Sequence, residues 1–327
     1  MKKIGYSFDG LSLANEAKPG QVALANETAF NQQFFSEPLT QYAVGWTSEQ
    51  KALERLLDFI APQVSVSRKF QYKVANNAKE FLALEETEDI RAIGGEFKRI
   101  EARGDIVQSR TYSKGLATII DLDEEDAEDG LEERKVAWLR KILLRMEIRR
   151  AIALLSASAA NKAVTWGGAD GSDPDMDLAE MLLAGGDGSG IDPNRILMGK
   201  AAWQTRLVAL RAKDTAGAFA SAGMTPDALA GFLACDSVYV NRERFQSGGE
   251  KANLVGSDTV IGFMAEAGMG KDDPSNIKRF VSAQDGGAFR VYRQELTSHL
   301  IQISVSHYSN IVLTSNLGLR KLTVTKG

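Results

Sequence analysis

The side chains best suited to proton transfer or metal binding near neutral pH are the two histidines of this 327-residue chain, His299 and His307. Both fall in a late segment, SHLIQISVSHYSN, that alternates apolar and polar residues with a period of two. On one continuous strand, residues eight apart point to the same face about 26 Å from each other. They share no metal unless a turn intervenes. The single cysteine, Cys235, follows an apolar helix end, GFLACDS, with no base near it in sequence. It reads as a small buried hydrophobe rather than as a nucleophile. The acidic run from Asp121 to Asp129 holds seven carboxylates. Nothing fixes seven acids into one coordination shell, and acids suit the positive end of a helix dipole, so the run reads as a solvated helix start. The glycine-rich pieces GGADG, LLAGGDGSG and GSDTVIGFMAEAGMG lack the spacing of a phosphate-cradling loop. No catalytic, cofactor-binding or metal residue is assigned, and the chain is not expected to be an enzyme.

Composition narrows the class. Hydrophobic residues make up 44% of the chain, enough for a substantial core and for two domains of ordinary size. One cysteine excludes an internal disulfide. No apolar run reaches the 18 or more residues of a membrane span, and the N-terminus, MKKIGYSFDGLSLANEA, lacks the apolar stretch of a secretory signal. A soluble, cytosolic protein is expected. The net charge is −4 and the pI about 5.5, without the basic surplus of a dedicated nucleic-acid binder.

The elements that would position any site are dominated by one helix. From Leu131 to Ala160 the chain has no Gly or Pro, and 30 residues at 1.5 Å each make a rod of about 45 Å. The helix is expected to run from about Glu124, within the acidic run, to Ala160, with this stretch as its core. Val136, Leu139, Ile142, Leu143 and Met146 form one stripe, with Arg134, Arg140, Lys141 and Arg145 opposite. Beyond Leu144 a second stripe, Leu144, Ile148, Ile152 and Leu155, falls on the formerly charged side. The first half is therefore expected to pack on one side and the second half on both.

Before this strut, residues 1–62 read as an N-terminal arm and a short helix. Phe30, Phe34, Phe35, Tyr42 and Trp46 are too many large apolar groups for a free tail. Ser48 caps SEQKALERLLDFIA, which Pro62 stops. Residues 63–120 read as an extended, polar β-hairpin loop with little to bury, either a mobile surface loop or an arm that becomes ordered on an adjacent subunit. After the strut, WGGADGSDP is a turn-rich linker and Asp175 opens a short helix ending near Gly186. NRILMG is a buried strand, 200–213 a helix, and 226–234 a helix capped by Thr225. SVYVN, TVIGFMAE, FRVYRQEL, SHLIQISVSHYSNIVLTSN and LRKLTVT are strands. The fold class is α+β.

Four short patterns occur in order along the chain: DFIAPQVSV from Asp58, DIRAIGG from Asp89, LLRMEIRRA from Leu143, and Trp166, then SDP from Ser172, then DPNRILMGKAAW from Asp192. In that order and spacing the chain resembles the major capsid proteins of tailed bacteriophages and prophages, with the Hong Kong 97-type fold. The resemblance runs from about Val44 to near the end. Ile93 stands where that family often has Pro.

The resemblance implies an N-terminal arm, an extended β-hairpin loop, a long spine helix, and peripheral and axial domains. The boundaries would be 1–62 for the arm and short helix, 63–120 for the loop, and 121–190 for the spine helix and peripheral domain. The axial domain would cover 191–285 and the last peripheral strands 286–327. It implies a self-assembling icosahedral shell of pentamers and hexamers around viral double-stranded DNA, held without sequence-specific binding. A scaffolding protein, a portal, assembly in the host cytoplasm and a place in the virion are implied, with no cofactor and no membrane. Subunit contacts would involve Phe34, Phe35, Trp46, Arg91, Glu96, Lys98, Arg99 and Arg103. Two other readings stay open: an encapsulin-like compartment shell, and a cytosolic α/β enzyme using carboxylates of the second block.

Overall fold

The computed structural model of the chain describes residues 7–8, 11–12, 36, 38–40, 48–74, 95, 105–123, 130–167, 171–213, 215–247, 249–266, 270, 273–282 and 289–327. Its first elements are β1 (Ser7–Phe8), β2 (Leu11–Ser12), α1 (Ser48–Ile60), β3 (Gln63–Ser65), β4 (Lys69–Val74), β5 (Asp105–Arg110) and β6 (Tyr112–Asp121). The middle holds α2 (Leu131–Ser158), β7 (Ala160–Trp166), α3 (Pro174–Ser189), β8 (Arg195–Gly199), α4 (Lys200–Ala212), α5 (Ala216–Ala222) and α6 (Pro226–Phe232). The remainder is β: β9 (Ser237–Asn241), β10 (Arg244–Ser247), β11 (Glu250–Asn253), β12 (Thr259–Phe263), β13 (Ile277–Val281), β14 (Phe289–Glu295), β15 (Leu300–Leu313) and β16 (Arg320–Lys326). Two compact units result. One comprises Met1–Lys51, Tyr112–Leu143 and Ala283–Tyr308, the other Ala52–Thr111, Leu144–Ser282 and Ser309–Gly327.

The strut is α2, 28 residues long. Its first half buries Val136, Leu139, Arg140 and Leu143, its second Leu144, Glu147, Ile148, Ala151, Ile152 and Leu155. At about 100° per residue, the centre of the buried arc turns by roughly 100° between the halves. Met146, Arg149, Arg150 and Ala153 remain exposed, so the second half is not buried on both sides. Rows of residues four apart wind around a helix, and the supposed second stripe is the first one displaced by that winding. Arg140, placed on the charged side by the sequence, is 4% exposed, with its guanidinium 5.1 Å from the Phe289 ring centre. The helix ends at Ser158, two residues early, because Ala160 opens a strand that the sequence reading missed.

In the unit containing Leu144–Ser282, five strands run in the order β7-β16-β12-β8-β9. β12 is antiparallel to β8 and β16, while β16–β7 and β8–β9 are parallel. Trp166, Leu178, Met181, Ile196, Met198, Val260 and Leu322 fill a core between this sheet and the helices. α3 starts where Asp173 Oδ1 accepts the N–H groups of Asp175 and Met176, with Pro174 at the first position. It runs on to Ser189, past the glycines expected to end it. Those glycines serve close packing: a Cβ at Gly185 would stand 2.6 Å from Pro193 Cγ and 2.9 Å from the Gly318 carbonyl. At the β8–α4 junction, a Cβ at Gly199 would meet the carbonyls of Gly256 and Ser257 at 2.2 and 2.6 Å. Only Gly fits there, and Ser257 O accepts the Ala202 N–H at 2.8 Å.

Leu53, Leu56 and Leu57 of α1 are buried as their spacing requires. The base of the extended loop is more tightly built than its polar sequence suggests. β3 pairs in parallel with β13, and β4 with β5 from Lys69↔Arg110 to Val74↔Asp105. Phe70 and Tyr72 pack against the fully buried Phe280, with ring centres 4.4 and 5.5 Å away. β13 also pairs with β15 over Ser309–Leu313.

In the other unit, β14 pairs antiparallel with β15 from Phe289↔His307 to Glu295↔Ile301, and β6 also pairs with β15. Gly115 allows this approach, since a Cβ there would lie 2.8 Å from Val305 O. Ile301, Ile303 and Val305 are buried and Leu300 is half-buried, but Gln302 and Ser306 on the opposite face are buried as well, so β15 is covered on both faces and not on one as alternation implies. Leu39 is buried, Ser36 N–H donates to Val291 O at 3.1 Å, and Val291 N–H donates to Thr40 Oγ1 at 3.1 Å. Part of the N-terminal segment is thereby fixed to β14.

Candidate functional site

Among the described residues, the buried charged side chains of the larger unit bond to partners within the fold. His307 lies in β15, whereas His299 sits in the bend just before that strand. His299 is exposed, with Nδ1 3.3 Å from Asp123 Oδ1, and the Leu122 N–H donates to its carbonyl at 2.9 Å. His307 is 5% exposed, its ring 4.9 Å from that of Phe289. The thiol of Cys235 is half-buried beside the second unit's core. Burial first, and the Asp236 carboxylate second, push its pKa up, which makes it a poor nucleophile.

The buried charged side chains of the larger unit, Glu147, Asp175, Asp177, Arg206, Asp273 and Lys278, each have a structural partner. Arg206 Nε and Nη2 donate to Asp175 at 2.6 and 3.0 Å, and Nη2 also to Ser221 O. Lys278 Nζ lies 2.9 Å from Asp273 Oδ2, with both side chains nearly inaccessible. Glu147 accepts from Ser309 Oγ at 2.9 Å and from Arg150. Asp177 accepts from Trp166 Nε1 at 2.8 Å and from Ser172 Oγ. None of these pairs a nucleophile with a base in a cleft. A shallow groove of about 450 Å³ is lined by Lys162, Glu180, Leu183, Asp187, Arg320 and Lys321. Lys162 Nζ is bonded to Glu180 at 3.0 Å, which raises its pKa. Among the described residues no three His, Cys, Asp or Glu side chains gather as a metal site, and no helix is long and apolar enough to cross a membrane.

What the surface offers instead is unburied apolar area. In the unit containing β14, Tyr112, Ile119, Leu122, Trp138 and Leu296 are each at least 41% exposed. In the larger unit Ile106, Met176, Leu183, Val208, Phe219 and Phe232 are each at least 51% exposed. Single exposed apolar residues are ordinary, and it is contiguous patches of them that mark association surfaces. The sequence reading missed all of them as contact candidates, because exposure of Phe219, Phe232 or Trp138 is a tertiary property that no spacing announces. The residues it did name, Phe34, Phe35, Trp46, Arg91, Glu96, Lys98, Arg99 and Arg103, lie outside the described residues, as do Phe30, Tyr42, most of the acidic run and the DIRAI stretch.

No described protein family and no curated protein matches the sequence. Solved structures match the fold. A phage-related protein from Bordetella bronchiseptica RB50 superposes with a TM-score of 0.62 at 15% identity, covering 89% of this chain and 97% of that one. A virus-like particle from Pyrococcus furiosus matches with a TM-score of 0.48 at 13% identity, over 89% of this chain and 99% of that one. The putative capsid protein of a prophage of E. coli CFT073 matches with 0.47 at 10% identity, over the same two shares. The chain has the α+β, Hong Kong 97-type fold that the motif order implies.

Proposed function

We propose that this chain is a shell subunit, the major capsid protein of a tailed phage or prophage. It assembles through pentamers and hexamers into an icosahedral shell around double-stranded DNA. The observation that carries the reading is the near end-to-end match to a phage-related protein, 89% of this chain on 97% of that one. Large exposed apolar side chains of both units, Trp138 and Phe232 among them, are available for subunit contacts. On this reading Phe34, Phe35, Trp46, Arg91, Glu96, Lys98, Arg99 and Arg103 contact neighbouring subunits. A scaffolding protein and a portal take part in assembly in the host cytoplasm, and the product is the virion head. It acts without catalysis or a cofactor, and the five segments bounded at residues 62, 120, 190 and 285 act as arm, loop, spine and peripheral, axial and terminal peripheral regions.

The test is expression of the chain alone and with its neighbouring genes, followed by sedimentation and negative-stain microscopy. Closed shells or capsomers are expected. A 35.5 kDa species alone, at high concentration and with every neighbour present, refutes the shell. Shells that enclose a cargo enzyme in place of nuclease-protected DNA replace the capsid reading with the encapsulin-like one.

A further inference from the structure

The β10–β11 hairpin has two unlike faces. Register pairs Arg244 with Asn253, Phe245 with Ala252, Gln246 with Lys251, and Ser247 with Glu250. Phe245 and Ala252 are half-buried, and the ring of Phe245 carries the Arg149 guanidinium 4.1 Å from its centre. Glu243, just before the hairpin, is held by Arg145 of α2, with Nη2 2.9 Å from Oε2. These contacts fix one face against the helix. The opposite face presents Arg244, Gln246, Lys251 and Asn253, all exposed. Each of the four carries N–H donors, and none carries a negative charge. The hairpin's one carboxylate, Glu250, belongs to the other row.

Arg244 and Lys251 are diagonal neighbours across the two strands, about 7–8 Å apart at the backbone. Among the described residues neither has a carboxylate partner within 4.0 Å, and exposed Arg242 lies two residues before Arg244. In a chain of net charge −4, this local excess of cations makes the face complementary to an external anion. Lys and Arg flanked by amide side chains are the groups that contact nucleic-acid backbones, where they position without reading sequence.

We propose that this hairpin face binds the phosphodiester backbone of duplex DNA, weakly and without sequence preference. The inference concerns the subunit itself and holds whether or not it is assembled. Two phosphates neutralised by Arg244 and Lys251 contribute about −1.8 to the slope of log affinity against log salt. Between 50 and 200 mM salt that share amounts to about a 12-fold loss of affinity.

The experiment measures fluorescence anisotropy of a labelled 20-base-pair duplex with the full-length protein, its Arg244→Gln/Lys251→Gln variant, and the charge-preserving Arg244→Lys/Lys251→Arg variant. Circular dichroism confirms the fold of each. Wild type and the charge-preserving variant are expected to share one salt slope, and the neutral variant to lie about 1.8 shallower. An unchanged slope, or no wild-type binding at 50 mM salt, overturns the proposal. So does polyglutamate that competes as well as unlabelled duplex, which assigns the face to an acidic protein surface. Particle yield is measured in parallel: a neutral variant that retains DNA binding but forms no particles assigns the face to subunit contact, and leaves the shell reading intact.

Discussion

The buried pair of Arg206 and Asp175 makes a quantitative demand on the larger unit. Arg206 is fully buried and Asp175 5% exposed, and two of the guanidinium nitrogens bond the carboxylate. Among the described residues Nη1 has no hydrogen-bond partner, and the Trp203 ring lies 5.1 Å from Cζ. Asp175→Ala therefore leaves a cation in the core with one remaining acceptor, Ser221 O at 3.0 Å. Removing one partner of a buried pair costs about 3–5 kcal/mol. Arg206→Met strands the carboxylate and costs about the same. The double variant Asp175→Leu/Arg206→Met removes both charges and leaves only the Ser221 carbonyl unpaired, a loss of about 1–2 kcal/mol. The single costs sum to roughly 6–10 kcal/mol, well above the double, and the difference is the coupling. In a unit of this size each kcal/mol shifts Tm by about 2–4 °C, so each single variant melts roughly 6–20 °C low. The assay is thermal and urea unfolding of the unassembled subunit followed by tryptophan fluorescence. Single variants that each cost under about 1 kcal/mol, or that add in the double, refute the reasoning.

Other consequences are simpler to test. Gly199→Ala drives a methyl group into the carbonyls of Gly256 and Ser257 and should abolish soluble expression, whereas Gly231→Ala, where no atom lies within 4 Å of the added carbon, should express normally. Burial raises the Asp173 carboxyl, but Lys213 and the N–H groups of Met176 and Asp175 outweigh it and hold its pKa below the ordinary 3.8. Its stabilising share is thus present above pH 3.8 and is lost as pH falls through the lower folded value. Asp173→Ala should cost about 1 kcal/mol at pH 7, and the gap in Tm from wild type should shrink at pH 3. An unchanged gap would place the effect elsewhere. Replacing residues 75–104 with a two-residue Asn-Gly turn keeps the pairing, because Val74 faces Asp105. Circular dichroism should stay native while particles fail to form. An unfolded product would show the loop to be structural, and normal particles would show it to be dispensable.

Locally encoded features were legible in the sequence. The long strut, the α1 stripe of Leu53, Leu56 and Leu57 and the Thr225 cap all follow from spacing and capping within a few residues. What was not legible depends on distant partners. β7, ANKAVTW, has only two buried side chains in seven and so no alternation to read; it is a strand because β16 lies beside it. α3 continues through Gly185 and Gly186 because Pro193, Asp192 and Gly318 close in there. Arg140 is buried because Phe289, far along the chain, takes its guanidinium. The base of the loop is anchored because Phe70 and Tyr72 meet Phe280, which a count of nearby polar residues does not reveal. For the site, His299 lies outside β15 and Cys235 is only half-buried, and the exposed apolar residues and the basic hairpin face emerged only with the tertiary structure.

The pairing of β7 with β16 also has a timetable. Ala160 faces Arg320, so the two strands leave the ribosome 160 residues apart. At about 5–20 residues per second, β7 waits roughly 8–32 seconds for its partner. During that interval it has two open edges. A hydrophobic strand in that position would pair with its twin on the next nascent chain. The polar, lysine-bearing face of ANKAVTW is poorly suited to such premature pairing. Restraint during synthesis is thus written into the same seven residues that later complete the sheet.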